Sequence, residues 1–156
     1  MSSPAIEKWM FLMAFGRDVT FQDAFPQSTY LDLLTGDVVW LYDDDHDAHM
    51  EAGLAPEENR AGRERVASDP DRYLAIPGLD HGHHHDILRR FLGSEWTGDE
   101  PLRQRAEQAY SGSIGRWKRD IDNDEAVHAF YAFQEDEIAK RAEEFLTENG
   151  ITPRWR

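Results

Sequence analysis

The chain has 156 residues, long enough to bury a real core. Its 31 acidic against 17 basic residues leave a formal charge of −14, which opposes binding to nucleic-acid phosphates and favours solubility. No apolar run is long enough for a membrane helix, and the absence of cysteine excludes disulfides and thiolate metal sites together.

The charge is uneven. Residues 1–60 hold twelve acids against three bases, and residues 61–156 hold nineteen against fourteen. The opening MSSPAIEKWMFLMAFGRD lacks a basic leader region and a small-residue cleavage site, and Glu7 and Lys8 sit inside its apolar run. It does not read as a signal peptide, so a cytoplasmic protein is expected.

Taken in order, Ser3 can cap and Pro4 can open a first helix. In it Ile6, Trp9, Met10, Met13 and Phe15 recur at three- and four-residue spacing, and Gly16 stops it. Phe21–Gln27 reads either as a turn of helix or as a loop closed by Pro26. Tyr30–Tyr42 then carries two apolar runs around Thr35-Gly36-Asp37, the signature of a β-hairpin. Asp32 interrupts the first run at a period-2 position and predicts a solvent-facing side. Asp43–Gly53 alternates carboxylates like the start of a calcium loop, but the glycine and glutamate such a loop needs are missing, and it reads as a solvated acidic loop. Pro56–Val66 predicts a charged surface helix weakened by Gly62, and Asp69-Pro70 marks a turn.

Arg72–Pro77 predicts a third strand, ended or kept at an edge by Pro77. Asp80 can cap a helix with His84, Ile87, Leu88, Phe91 and Leu92 inward, ended by Gly93. Thr97 or Asp99 can cap another over Glu100–Tyr110, with Leu102 and Ala106 inward. After Ser111-Gly112-Ser113, Ile114, Trp117 and Ile121 form a short amphipathic stretch. A last helix starts near Asn123 with Val127, Phe130, Tyr131, Ile138, Ala142, Phe145 and Leu146 inward, and Gly150 and Pro153 end it. The order argues one α+β domain over 1–156. A small antiparallel three-stranded sheet, a hairpin plus one strand, is covered by several helices, and the C-terminal half is helical. Its parts are an N-terminal helix and loop (1–28), the sheet region (29–78) and the helical region (79–151).

From Tyr30 onward the chain resembles uncharacterised protein family 0158, a set of small bacterial proteins. The matching pieces are YLDLLTGDVVWL (Tyr30–Leu41), DRYLAIPGLD (Asp71–Asp80), GSIGRWK (Gly112–Lys118) and AFYAFQEDEIAKRAEEFLTENGI (Ala129–Ile151). Together with their spacing they span about three quarters of the chain. The resemblance implies a compact intracellular domain of bacterial or phage origin and carries no activity. In place of the ordinary polar residues that the family leads one to expect, this chain has HGHHHD at His81–Asp86.

That cluster is the most unusual local feature. On a helix from Asp80, His81 and His85 stand four apart and face the same way, a spacing that chelates zinc or nickel, with His83, and Asp86 or one of the Asp43–Asp47 carboxylates, as further candidate ligands. The plainer reading is a polar helix start with His84 or His85 packed at the core edge. No motif demands a cofactor, so a divalent metal at this cluster is the one candidate. Arg116, Lys118 and Arg119 form the densest basic group and are a candidate anion site, against a solvated face paired with Asp120, Asp122 and Asp124. Asp43, Asp44, Asp45 and Asp47, with Trp96 and Trp155 as aromatic anchors, are the candidate partner-binding residues, whereas Trp9, Trp40 and Trp117 read as core. No nucleophile elbow, catalytic cysteine or phosphate-binding loop is present. The expected function is an acidic, non-enzymatic interaction module that binds a basic protein, one form being an antagonist of a nucleic-acid-handling protein. The alternative is a metal-binding protein or metal-dependent enzyme using His81–His85. Neither direct nucleic-acid binding nor membrane insertion is expected.

Overall fold

A computed structural model of the chain describes residues 4–19, 27–43 and 55–156. Among these residues the order is α1 (Lys8–Gly16), β1 (Gln27–Asp32), β2 (Val38–Tyr42), α2 (Pro56–Ser68), β3 (Tyr73–Ala75), α3 (His81–Leu92), α4 (Glu100–Ala109), α5 (Ile114–Asp120) and α6 (Asp124–Glu148). This is an α+β arrangement with a helical C-terminal half. The chain divides into two compact units, Met1–Leu79 with Ala142–Arg156, and Asp80–Arg141.

In the first unit the three strands lie antiparallel in the order β2-β1-β3, with Leu31 opposite Val38 on one side and Leu74 on the other. Leu33 and Leu34, which their apolar character assigns to the strand, form the turn instead and are exposed. The reason lies in Asp32. Its carboxylate accepts the backbone N–H of Leu34 at 2.9 Å and of Thr35 at 3.4 Å, which bends the chain directly after β1. Nor does Asp32 meet solvent as predicted. It is buried, and Arg72 grips it with two bonds, Nε to Oδ1 at 2.9 Å and Nη2 to Oδ2 at 2.8 Å. The Arg72 guanidinium holds the Asp32 carboxyl down at about 2, outweighing the opposing effect of burial.

Two further devices tie distant sequence to this sheet. Asn59 of α2 is fully buried, accepting the Tyr42 N–H at 2.8 Å and donating to the Tyr42 carbonyl at 2.9 Å, so that a side-chain amide closes the edge of β2 as a strand would. Gly62 lets α2 approach the sheet, since a Cβ there would stand 2.6 Å from Leu41 Cδ2. Ile6 pairs in parallel with Trp155, its N–H on the Arg154 carbonyl at 2.7 Å and its carbonyl on the Arg156 N–H at 2.9 Å. Pro4–Glu7 is therefore extended backbone rather than the expected first helical turn. It crosses the hairpin turn at Gly36 (φ 79°), where a Cβ would collide with the Ala5 carbonyl oxygen at 2.0 Å.

The second unit is assembled from capped helices. Asp80, Asp99, Ser113 and Asn123 each accept a backbone N–H of the following first turn, at 2.9, 3.1, 3.2 and 2.9 Å. Ile87, Leu88, Phe91, Trp117, Ile121 and Phe130 are fully or almost fully buried. Phe91 stacks on Trp96 and meets Trp117 and Phe130 edge-on or tilted at 4.9–6.0 Å between ring centroids. Trp117 donates its Nε1–H to the Ala106 carbonyl at 2.9 Å, so this large ring is buried with its polar atom satisfied. Tyr131, expected inward, is 42% exposed with the Lys118 ammonium 4.7 Å from its ring centroid.

Candidate functional site

The histidine cluster opens α3 in the second unit. His81 and His85 do face the same way, their ring centroids 4.0 Å apart and edge to face. His85 is buried and its Nδ1 shares a hydrogen bond with the Tyr110 hydroxyl. His84 is also buried, whereas His81 and His83 are exposed. The other two candidate ligands turn elsewhere. His83 Nδ1 lies 2.8 Å from the Asp80 carboxylate that caps the helix. Asp86 is held by Arg141 at 2.7 Å and Arg90 at 3.1 Å, and Arg141 first, then Arg90, hold its carboxyl below the ordinary range against the opposing effect of burial. The fold brings together two of the four, and among the described residues no three His, Asp or Glu side chains converge as a metal centre requires.

Arg116, Lys118 and Arg119 lie on α5. Arg116 and Arg119 are exposed, and Lys118 spreads over Phe130 and Tyr131. Among the described residues none of the three forms an ion pair with Asp120, Asp122 or Asp124. Of the candidate partner-binding residues, Asp43 is exposed and accepts the Ser28 hydroxyl at 3.1 Å. Asp44, Asp45 and Asp47 lie outside the described residues. Trp96 is half-buried against Phe91. Trp155 is half-buried too, tilted on Phe11 at 5.8 Å with its Nε1–H on Glu143 at 3.3 Å.

The largest exposed aromatic side chain lies where the sequence reading placed core. On α1, Trp9 is 68% and Met13 is 62% exposed, while Phe11, Ala14 and Phe15 are buried. The two sets are the opposite faces of one helix. Trp9 and Met13 stand four apart, one turn above the other, and Phe11, Ala14 and Phe15 form the i, i+3, i+4 stripe that meets the core. Both stripes are apolar in KWMFLMAFG, so spacing by itself does not say which turns inward. Lys8 flanks the exposed face, its ammonium 5.7 Å from the Trp9 ring centroid. A solvated tryptophan and methionine on one helical turn form an apolar contact surface of the kind that anchors partners.

Comparison with protein-family models, with curated proteins and with solved structures finds no match to this chain. The candidate site therefore rests on its own residues.

Proposed function

We propose that this chain is a non-enzymatic, acidic protein-interaction module of bacterial or phage origin that binds a basic partner through its first unit. An antagonist of a basic, nucleic-acid-handling protein is the concrete form of this reading. The observation that carries it is the exposed Trp9–Met13 face of α1. That face belongs to the more acidic unit, in which residues 1–79 and 142–156 hold eighteen acids and eight bases. An aromatic anchor supplies affinity when desolvated, and the unit's excess of carboxylates steers a cationic partner and disfavours acidic ones.

The test is capture of partners on the immobilised full chain at low salt, beside an equally acidic control protein and the Trp9→Ala, Met13→Ala double variant. The reading expects a basic protein held by the wild type, released by salt, and bound at least about 30-fold more weakly by the double variant when both proteins are purified, as loss of a binding hot spot requires. Equal retention by the control or by the double variant would overturn it.

A further inference from the structure

Among the described residues, the first unit contains a part-buried cation that no carboxylate pairs with. Arg17 follows α1, and its guanidinium turns inward to the end of the sheet. Nη1 donates to the Ala14 carbonyl at 3.1 Å, to the Thr29 hydroxyl, and at 3.4 Å to the Ile76 carbonyl. These bonds satisfy the end of the helix and the start of β1, and a cation is in place at a helix C-terminus. They use one corner of a five-donor fork. Nε is buried with no acceptor, and Nη2 makes no hydrogen bond among the described residues. No carboxylate among them pairs with Arg17, in a chain of 31 acids. Burial lowers the pKa of the group.

The backbone is built to hold this side chain in place. The Leu79 N–H bonds the Arg17 carbonyl at 2.9 Å and the Val19 N–H bonds the Leu79 carbonyl at 2.9 Å. That pairing depends on Gly78, which has φ 73° and would place a Cβ 2.5 Å from Val19 Cγ1 and 3.3 Å from Arg17 Cγ. A buried donor without an acceptor is costly, and buried polar groups in native proteins are nearly always paired.

Arg17 lines a cleft of about 320 Å³ between the ends of β1 and β3. Small-molecule pockets start at about that size. Val19, Ala75, Ile76 and Pro77 give it an apolar wall, and Ser28 and Thr29 a polar one. Ser28 already donates to the Asp43 carboxylate, so one polar group of the cleft stands next to a negative charge. Together with the −14 net charge, this disfavours a dianion far more than a monoanion. Nη2, the unused corner of the fork, can take a carboxylate oxygen from the cleft on a charge-assisted bond.

We propose that this cleft binds a small monocarboxylate with an apolar body, its carboxylate on Arg17 and its body against Val19 and Pro77. The site is independent of the Trp9–Met13 face, and either can fail without the other. The experiment titrates 3-phenylpropionate into the ¹⁵N-labelled full chain, beside its neutral amide and inorganic phosphate. Saturable shifts are expected at the Arg17 side-chain Nε–H and at the Ser28 and Ala75 amides, with the amide and phosphate each at least about tenfold weaker. Arg17→Lys, which keeps the charge and loses the fork, should weaken binding about tenfold or more. Ala75→Trp, which fills the cleft from its exposed rim and leaves Arg17 in place, should abolish it. Arg17→Met should abolish it too, and the other two variants decide the matter if that one does not fold. Absence of saturable shifts in the wild type, phosphate binding as tightly as the carboxylate, or binding that survives Ala75→Trp would each overturn the proposal.

Discussion

The two units hold themselves together by different means. Every helix of the second unit begins with a side-chain cap, and its buried stripes repeat at helical spacing along continuous sequence. Neither helix wholly within the first unit has a side-chain cap. That unit relies instead on pairs far apart in the chain: Asp32 with Arg72, Asn59 with the Tyr42 backbone, Ile6 with Trp155, and Arg156 with Asp37. One unit is specified by local signals and the other by long-range pairing, whose loop-closure cost must be met before any contact forms. The difference extends to charge. The first unit holds ten more acids than bases and the second four more, and both binding surfaces inferred above lie in the first.

The comparison is tested most severely at Trp117. Trp117→Ala removes the fully buried indole that meets Phe91 and Phe130 and should cost about 3–5 kcal/mol. Hydrogen exchange should report the loss as reduced protection across α3, α4 and α5. Protection lost equally in β1–β3 would break the division into two differently built units.

Asp32→Asn comes next, at about 1–3 kcal/mol, because the Arg72 bonds lose their charge assistance while the shape is kept. The pH dependence carries the sign. The folded-state pKa lies below the unfolded value, so the stabilisation is fully present above pH about 4 and is lost as pH falls from there through about 2. Urea midpoints measured across that window should fall more steeply for the wild type than for Asp32→Asn. Parallel curves would remove Asp32 from the account of acid sensitivity.

The smallest effects are at the caps. Ser113→Ala and Asn123→Ala should each cost about 0.5–2 kcal/mol, read as a lower urea midpoint. They should open the first turns of α5 and α6 to exchange and leave the sheet untouched. Larger losses would mean that these residues hold more than a helix start.

Much of the second unit was legible because its rules are local. Asp80 stands at the cap that its position indicated and Asp99, rather than Thr97, at the next, and Ile87, Leu88, Phe91, Leu102, Trp117 and Ile121 are buried as the helical periodicity required. The hairpin and the third strand were legible from β-branched and aromatic runs around a glycine turn. The candidate sites were harder. The spacing of His81 and His85 correctly put them on one face, but nothing local indicated that Asp86 would turn to Arg141, fifty-five residues on. For α1 the sequence offered two apolar stripes and no means to choose between them. Arg17 carried one faint signal, as one of only three bases in the first sixty residues.

By itself, then, the sequence determined the α+β class, the antiparallel sheet, the helix starts of the second unit and the acidic character. Each of these depends on neighbours within one or two turns, or on composition alone. Tertiary structure decided which face of α1 is wet, why Asp32 is buried, why Gly62 sits inside a helix, and that Arg17, paired with no carboxylate among the described residues, lines a cleft. Those outcomes depend on partners from twelve residues away (Arg17 and Thr29) to 144 (Phe11 and Trp155), and a pattern that repeats every two or four residues carries no record of them.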